Sequence, residues 1–278
     1  MKKHPIGIMI PCKRTTDLEK EIQKAKELKL DSCQLSIWDP SLTADDSYAT
    51  YVKDVISKAN FKISALWAGY SGPCEWNFTA GPAVIGLVPP TYRFQRLQEL
   101  MQASDFAEKI GVDRVITHVG FLPENPDDPN FNGTVAALRH LCKYMKQKNQ
   151  FFLFETGQET PTTVLRTIQA IGTDNLGVNF DTANLILYGK ANSLDALDTF
   201  GKYVMDTHIK DGLYPTDGLR LGREVAVGEG KANIPAIMQR LEELGYEGPF
   251  TIEREITGEK QIQDIIRARD LIRTEMNQ

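Results

Sequence analysis

One pattern recurs in four segments of the chain: FFLFETGQE (residues 151–159), LGVNFDTAN (176–184), VMDTHIKDG (204–212) and GPFTIERE (248–255). Each segment contains a short apolar run of the kind that forms a buried β-strand, and each continues into a turn or a helical stretch. The residues at the ends of these runs are Glu155, Asp181, His208 and Glu253. In a barrel of parallel strands the carboxyl ends of the strands meet at one mouth, so we expect these four side chains to converge.

Three carboxylates and one imidazole in one place predict a site for a divalent cation. Oxygen-rich ligand sets with a single imidazole favour Mn²⁺ or Mg²⁺, with Co²⁺ or Zn²⁺ as alternatives. A lone acidic residue at a strand end often caps the next helix, and a lone histidine often has only a structural hydrogen bond. The prediction of one bound metal ion therefore depends on the whole set of four residues on consecutive strands.

Strand-like and helix-like segments alternate over the rest of the chain. The predicted strands are short and rich in Ile, Val and Phe, and several lack polar alternation, which is typical of parallel strands covered on both faces. They comprise residues 6–10, 32–38, 62–67, 113–118, 151–155, 176–181, 203–209 and 249–253. Helices are predicted at residues 17–30, 44–59, 92–110, 133–148, 161–171, 193–201, 233–244 and 258–273.

Eight such units, with no linker or repeat between them, predict an α/β fold: a closed (β/α)₈ TIM barrel that forms a single domain over residues 1–278. The alternative is an open doubly wound sheet, but no glycine-rich phosphate fingerprint follows the first strand. Three loops at the predicted mouth are long, and long loops in compact domains are usually functional. They are residues 68–90, 120–132 and 211–233.

Composition narrows the class of protein. The formal net charge of −5 argues against a broad surface for nucleic acid. No stretch approaches the roughly 20 apolar residues of a membrane span, and the apolar run at 6–10 is too short for a signal peptide. The cysteines are scattered and form no CxxC pair, which predicts reduced thiols and a cytoplasmic location. They are Cys12, Cys33, Cys74 and Cys142.

A family resemblance is carried by FETGQET, NFDTAN, DTHIKDG and VGEGKANIPAIMQRLEELGYEGPFTIERE, and more weakly by ITHVGFLPE. With these segments the chain resembles the sugar isomerase/epimerase superfamily with the xylose isomerase-like barrel, which includes ketose 3-epimerases and inosose dehydratases. The resemblance spans most of the chain and is sharpest from Glu155 to Glu255. It implies that the four strand-end residues bind one divalent metal ion, usually Mn²⁺, Mg²⁺ or Co²⁺, and that the two glutamates also move protons.

The chemistry that fits this site is isomerisation or epimerisation of a sugar by proton abstraction next to its carbonyl. A divalent cation that chelates the carbonyl and hydroxyl oxygens of an α-hydroxy ketone stabilises the developing enediolate. A carboxylate beside the α-hydrogen then acts as the base, and a second one on the opposite face returns the proton with inversion. Glu155 and Glu253 are the candidates for this catalytic pair.

Further residues are candidates for contacts with a carbohydrate substrate: Glu159, His118, Asn184, Lys210, Trp38, Trp67 and Arg223, with Trp76 and Arg220 nearby. Each has an ordinary alternative. A carboxylate can cap a helix, a histidine can hold a loop, a lysine can form a structural salt bridge, a tryptophan can pack in the core, and a loop arginine can remain solvated.

Asn184 is a departure from the ketose 3-epimerase pattern, in which a histidine stands three residues after the aspartate of the sixth strand. Asparagine cannot act as an acid or base near neutral pH, so the metal site is retained while the substrate and the exact reaction stay open. One alternative is a lyase or dehydratase that acts on a keto-sugar or keto-inositol with the same metal and base.

Two other classes are alternatives. An abasic-site endonuclease on the same barrel would hold three zinc ions with more histidines than this chain contains, namely His4, His118, His140 and His208. A non-catalytic carbohydrate-binding barrel would have no need of all four ligand types. The resemblance also implies a homodimer or homotetramer that acts on a small carbohydrate.

Overall fold

Parallel strands close into a barrel in the computed structural model of this chain, which describes residues 2–277. Its strands are β1 (Ile6–Cys12), β2 (Ser32–Ile37), β3 (Lys62–Ala68), β4 (Arg114–Thr117), β5 (Phe151–Glu155), β6 (Leu176–Asp181), β7 (Val204–Ile209), β8 (Asp211–Leu213), β9 (Arg223–Val225) and β10 (Phe250–Ile252). The barrel consists of β1 to β7 and β10, and β10 closes the ring by pairing with both β7 and β1. This confirms the predicted (β/α)₈ TIM barrel.

Helices follow the barrel strands along the chain. They are α1 (Leu18–Glu27), α2 (Pro40–Thr43), α3 (Asp46–Ala59), α4 (Gly81–Val84), α5 (Pro90–Lys109), α6 (Pro129–Lys146), α7 (Pro161–Ile171), α8 (Asn184–Leu187), α9 (Ser193–Phe200), α10 (Ile234–Glu243) and α11 (Glu259–Met276). Caps set several of these bounds. Asp45 accepts the backbone N–H groups of the first turn of α3, and Gly172 ends α7 in the left-handed conformation that glycine adopts readily.

Two apolar clusters stabilise the barrel. The larger one lies between the strands and the surrounding helices and includes the fully buried Leu35, Phe106 and Phe180. The smaller one consists of Ala65, Trp67, Ile116 and Leu153, with three partly buried hydrophobic residues packed against it. Buried polar residues also lie among the strands, including Gln34, Asn179 and Asp206. Because buried polar groups need hydrogen-bond partners, these residues bond across the barrel: Gln34 donates to Asn179, and Asp206 accepts from Thr251.

A buried arginine holds the first long loop. Arg96 of α5 is fully buried, and its guanidinium donates to the backbone carbonyls of Ser71, Pro73, Val84 and Gly86. A single planar cation can satisfy several carbonyls at once because it has five donors in a fixed plane. The loop at residues 68–90 is therefore an ordered part of the mouth.

The segment 211–233, predicted as a loop, contains the antiparallel hairpin of β8 and β9. Its base is held by the carboxylate of Asp211, which accepts the backbone N–H groups of Gly212, Gly228, Gly230 and Ala232. The prediction missed the hairpin because each strand has only three residues, too few to show alternation. The one-turn helices α2, α4 and α8 were missed for the same reason.

All four cysteines are free thiols, as predicted, and three of them are buried. Burial raises the pKa of Cys142 to about 12, so this thiol is protonated and unreactive at neutral pH. Within residues 2–277, no helix combines the length and the apolar character that crossing a bilayer requires.

Candidate active site

The four predicted ligands lie on four adjacent barrel strands. Glu155 is the last residue of β5, Asp181 is the last of β6, His208 lies in β7, and Glu253 directly follows β10. Asp181 and His208 are paired in register across β6 and β7. One ligand atom from each of the four residues lies within 4.8 Å of the other three. The strand ends therefore bring the set together, as the sequence pattern predicted.

Within this cluster the imidazole faces the carboxylates. Nδ1 of His208 lies 3.0 Å from Oε1 of Glu155, 3.2 Å from Oε2 of Glu253 and 3.8 Å from Oδ2 of Asp181. The other oxygen of Asp181 accepts the backbone N–H groups of Ala183 and Asn184, both at 2.7 Å. Oδ2 of Asp181 has no hydrogen-bond partner among the described residues, although it is buried. This oxygen has ion-pair contacts alone, with His208 at 3.8 Å and Lys210 at 3.5 Å, so it has room for a direct bond to a cation.

Residues below and beside the cluster orient the ligands. Nε2 of His208 lies 2.8 Å from Oε1 of Gln34, and Nε2 of Gln34 donates to Oδ1 of Asn179 at 3.1 Å. Because the amide nitrogen of Gln34 is engaged by Asn179, its oxygen accepts from Nε2 of His208, which fixes the ring with Nδ1 directed at the carboxylates. On the other side of the cluster, the indole N–H of Trp67 donates to Glu155.

Lys210 is a buried cation that links the cluster to a fourth carboxylate. Its Nζ lies 2.7 Å from Oε1 of Glu255, 3.2 Å from Oε2 of Glu253 and 3.5 Å from Oδ2 of Asp181. It also donates to Oδ1 of Asn184 at 3.3 Å. The ammonium group is thus held between carboxylates, and its side chain is 1% exposed.

Neighbouring charges oppose the effects of burial on the pKa values of the cluster. Burial would raise the pKa of Glu253, but Lys210 and His208 lower it well below its usual value. Burial would lower the pKa of His208, but Glu155 and Glu253 raise it well above its usual value. Burial raises the pKa of Asp181, and Lys210 offsets this only in part. The carboxylates thus favour positive charge at the centre of the cluster.

This donor set fits a divalent cation. Three carboxylates and one neutral imidazole are hard ligands for such an ion, and Oδ2 of Asp181, which has no hydrogen bond among residues 2–277, would gain a direct partner. Binding would displace the proton from Nδ1 of His208, since a metal ligand must be unprotonated. The cluster of Glu155, Asp181, His208 and Glu253 can therefore hold a metal ion.

A cavity of about 390 Å³ opens at the cluster. Its wall includes two of the four predicted ligands together with aromatic, amide and carboxylate side chains. The lining residues are Met9, Ser36, Trp38, Trp67, Trp76, His118, Glu155, Gln158, Asn184, Leu187, Tyr188, Leu221, Glu253 and Glu255. Its volume lies at the lower end of the range for pockets that enclose small organic ligands, which is about 300–1,000 Å³.

Of the predicted substrate contacts, four line this cavity: Trp38, Trp67, His118 and Asn184. Nε2 of His118 also lies 3.4 Å from Oε1 of Glu155. Three others do not line it. Lys210 is engaged by carboxylates, Arg223 is exposed on the hairpin strand β9, and Glu159 is buried next to the cavity wall.

Glu159 is nevertheless an unusual acid. Its side chain is buried, Oε1 has no partner among the described residues, and burial raises its pKa to about 8. The carboxyl group is thus mostly neutral at pH 7. It does not cap α7, because Thr160 fills that position.

Sequence reasoning missed several residues of the site, namely Gln34, Gln158, Tyr188, Leu221 and Glu255. A signal existed for Gln34, because Ser32, Gln34 and Ser36 alternate with apolar residues in β2 and so share one face of the strand. No comparable signal marks Gln158 and Tyr188, which lie in the turn segments that follow β5 and β6 and reach the cavity only through the path of the chain.

The sequence model of the xylose isomerase-like TIM barrel family matches residues 22–274. The chain belongs to this family. Within the xylose isomerase-like family, the chain is similar to a solved xylose isomerase domain protein of Planctomyces limnophilus, with 31% identity and a TM-score of 0.90. That match covers 98% of this chain and 97% of the other.

More distant structures share the fold. One is a xylose isomerase-like TIM barrel protein of Mycobacterium smegmatis in complex with magnesium, with 18% identity, a TM-score of 0.74 and 98% and 96% of the two chains covered. Another is the D-psicose 3-epimerase of Clostridium cellulolyticum with D-tagatose, with 15% identity, a TM-score of 0.72 and 98% and 99% covered.

A curated relative, an uncharacterised protein of Methanocaldococcus jannaschii, is 23% identical over 182 residues. The match covers 65% of this chain but only 47% of that protein, so the chain spans about half the length of this relative.

Proposed function

We propose that this chain is a divalent-metal-dependent isomerase or epimerase that moves a proton next to the carbonyl of a sugar. The observation that carries the proposal is the convergence of Glu155, Asp181, His208 and Glu253 at a cavity that two of them, Glu155 and Glu253, also line. Solved epimerases with the same fold act on ketoses, which supports this choice of substrate class.

Glu155, Asp181, His208 and Glu253 would hold the metal ion, with Mn²⁺ or Mg²⁺ favoured by this ligand set. When bound, the ion would polarise the carbonyl and neighbouring hydroxyl oxygens of a sugar and so acidify the hydrogen between them.

The two glutamates are the proposed proton carriers. Glu155 is oriented by Trp67 and lies close to His118, whereas Glu253 is oriented by His208 and Lys210. Because they reach the cavity from different strands, one can take the proton from one face of the substrate while the other returns a proton to the opposite face. The aromatic side chains Trp38, Trp67 and Trp76 would pack against the C–H faces of the sugar and exclude water.

The first test is the metal content of the purified protein, measured by mass spectrometry with His208→Ala as the control. About one divalent ion per chain, lost in the variant, agrees with a single four-ligand site. Several zinc ions per chain would favour the abasic-site endonuclease, and no bound metal even after reloading would contradict the proposal.

Proton NMR of a ketose panel in deuterated water then separates the reactions. An epimer or isomer as product supports the proposal, whereas an unsaturated product identifies a lyase.

The catalytic pair is tested by Glu155→Gln and Glu253→Gln. Each change removes a group that accepts a proton, so we expect turnover to fall by about 10²–10⁴-fold while the circular dichroism spectrum is retained. Glu247→Gln is the matched control, because Glu247 is an exposed glutamate with an ion pair to Lys2. Full activity in both site variants would rule out the two-base arrangement.

A further inference from the structure

The cavity has two walls of different chemistry. Trp38 follows β2 and Trp67 lies in β3, whereas Tyr188 follows β6 and its short helix α8. The two walls rise from different strands of the closed barrel, since β6 lies four strands from β2 and β5, which Gln158 follows, lies two strands from β3. The first wall is aromatic. The second consists of Gln158, Asn184 and Tyr188, and is called the amide wall below.

Two members of the amide wall have polar atoms without a hydrogen bond of good geometry among residues 2–277. Gln158 is 1% exposed, and neither its amide nitrogen nor its amide oxygen has a hydrogen-bond partner among residues 2–277. Tyr188 is 5% exposed, and its hydroxyl likewise has no partner there. Buried polar groups in folded proteins are normally paired, so a group left unpaired in a cavity wall calls for an explanation.

The scaffold holds both side chains in place. The ring of Tyr188 makes edge contacts with Phe78 and Phe121, at centroid distances of 6.1 and 5.8 Å. Gly157, just before Gln158, packs so closely that a Cβ there would lie 3.2 Å from Cβ of Asn184. The ring contacts therefore position Tyr188, and Gln158 lies close enough to its hydroxyl to interact with it. Burial raises the pKa of Tyr188 to about 12, with Gln158 acting in the opposite direction, so the hydroxyl remains a donor at neutral pH.

We propose that Gln158 and Tyr188 form a recognition site for a hydroxyl group of the sugar, and that this pair sets which stereoisomer the enzyme accepts. The inference rests on the proposed function and adds specificity-determining residues to it. A primary amide and a phenol each donate and accept, which matches an alcohol that also does both. Neither group carries charge, and no arginine or lysine lines the cavity, so the amide wall is suited to a hydroxyl rather than to a phosphate.

A wall of this kind discriminates because the wrong configuration leaves its buried groups unpaired. Aromatic and apolar surface tolerates such changes far better than a hydrogen-bonding site does. The aromatic wall would thus supply affinity that is shared by many sugars, and the amide wall would supply the differences between them.

The experiment compares the wild-type amide wall, Gln158→Met and Tyr188→Phe, each in a Glu253→Gln protein that does not convert the sugar and each loaded with Mn²⁺, by isothermal titration with D-fructose, D-psicose, D-tagatose and D-sorbose. These probes differ only in configuration at C3 and C4. We expect the ratio between the weakest and the tightest dissociation constant to shrink by about tenfold in each variant, which corresponds to the loss of about one hydrogen bond. Methionine keeps the length of glutamine without its polar atoms, and phenylalanine keeps the ring contacts with Phe78 and Phe121.

Gln150→Met is the matched control. Gln150 is also buried, but it precedes β5 at the other end of the strand and is hydrogen-bonded to Ser104 and Val112. Gln150→Met should lower the melting temperature and leave the ratio of dissociation constants unchanged. Gln158→Met should do the opposite, retaining or raising the melting temperature while the ratio falls.

An unchanged ratio in folded Gln158→Met and Tyr188→Phe would overturn the inference. So would a wild-type protein that binds none of the four sugars, because the wall would then have no hydroxyl to recognise. The proposed function fails separately: binding with full stereoselectivity, without isomerisation or exchange of a proton, would contradict the enzyme while supporting the amide wall.

Discussion

At the scale of single residues, Glu159 makes stability depend on pH. Its pKa is raised by burial from about 4.5 to about 8, so the folded chain holds a proton that the unfolded chain releases between these values. The free energy of unfolding therefore falls as the pH rises through this window. In Glu159→Gln this contribution is absent, and we expect its stability relative to wild type to increase by on the order of 4 kcal/mol between pH 4.5 and pH 8.

Urea denaturation of both proteins at a series of pH values checks this difference. The surface variant Glu247→Gln serves as the control, because its side chain is largely exposed. If the free energies of unfolding of Glu159→Gln and wild type changed with pH in parallel, Glu159 would be ionised in the folded protein.

Gln34 is expected to control the affinity for metal although it touches no metal. Its oxygen accepts from Nε2 of His208 while its nitrogen is engaged by Asn179. Gln34→Met removes that acceptor and lets the imidazole change tautomer or rotate, so we expect metal binding to weaken by about 10–100-fold. Competitive titration with a chelating dye measures the change. Gln34→Glu keeps an acceptor for His208, so its metal affinity should fall much less. A metal affinity of Gln34→Met equal to that of wild type would contradict this role of Gln34.

At the scale of elements, the two long loops of the mouth depend on a close approach of backbones. Gly86 has a φ of +72°, and a Cβ there would lie 1.9 Å from the carbonyl oxygen of Val119. Gly111 has a similar φ of +76° with nothing within 4 Å of its would-be Cβ. Gly111→Ala should therefore cost only about 1 kcal/mol of backbone strain, whereas Gly86→Ala should cost several times more.

Chemical denaturation gives both costs, and hydrogen exchange locates the damage. We expect faster exchange in residues 68–90 and 120–132 for Gly86→Ala alone. Equal losses of stability in the two variants would show that the close approach of Gly86 to Val119 does not contribute to the stability of the fold.

The elements that could be predicted are those with enough residues to show a pattern. β5 and β6 were predicted with their observed bounds, because FFLFE and LGVNFD are apolar runs that end at a carboxylate. α6 was predicted to begin at residue 133 but begins at Pro129, because Asp128 caps it from within a segment that resembles a loop. The hairpin of β8 and β9 depends on Asp211 and distant backbone N–H groups, which no local pattern reveals.

The residues of the candidate site also fall into those that the sequence could predict and those that it could not. The predicted ligands lie at strand ends, where the parallel barrel dictates position, and the structure places them together. The cavity walls come largely from turns and loops, so Gln158 and Tyr188 could not be predicted. Glu159, chosen for its place four residues after Glu155, and Arg223, chosen as a charged residue of a long loop, do not line the cavity. Strand ends are fixed by pairing with their neighbours, whereas loop side chains are placed by packing between distant segments.

At the scale of the whole molecule, the metal site is expected to stabilise the fold. The cluster joins the ends of β5, β6, β7 and β10, and a ligand that binds only the folded state stabilises it by mass action. At a free concentration of 100 times the dissociation constant, Mn²⁺ should add about 2.7 kcal/mol, which raises the melting temperature by roughly 5–10 °C.

Differential scanning calorimetry with Mn²⁺ and with a chelator measures this difference. His208→Ala should show no response to the ion. An equal response in this variant would locate the metal elsewhere on the chain, and no response in wild type would contradict a site at the ends of these strands.

The three tryptophans of the chain have one further consequence. Trp38, Trp67 and Trp76 all line the cavity, with ring centroids 4.6 Å apart for the first two and 6.0 Å for Trp38 and Trp76. Because the chain has no other tryptophan, all of its tryptophan emission, excited selectively over that of the tyrosines, comes from the mouth of the barrel. The molecule therefore carries its own optical probe, and the arrival of an ion beside Glu155 or of a sugar against the indoles can be followed in real time without a label.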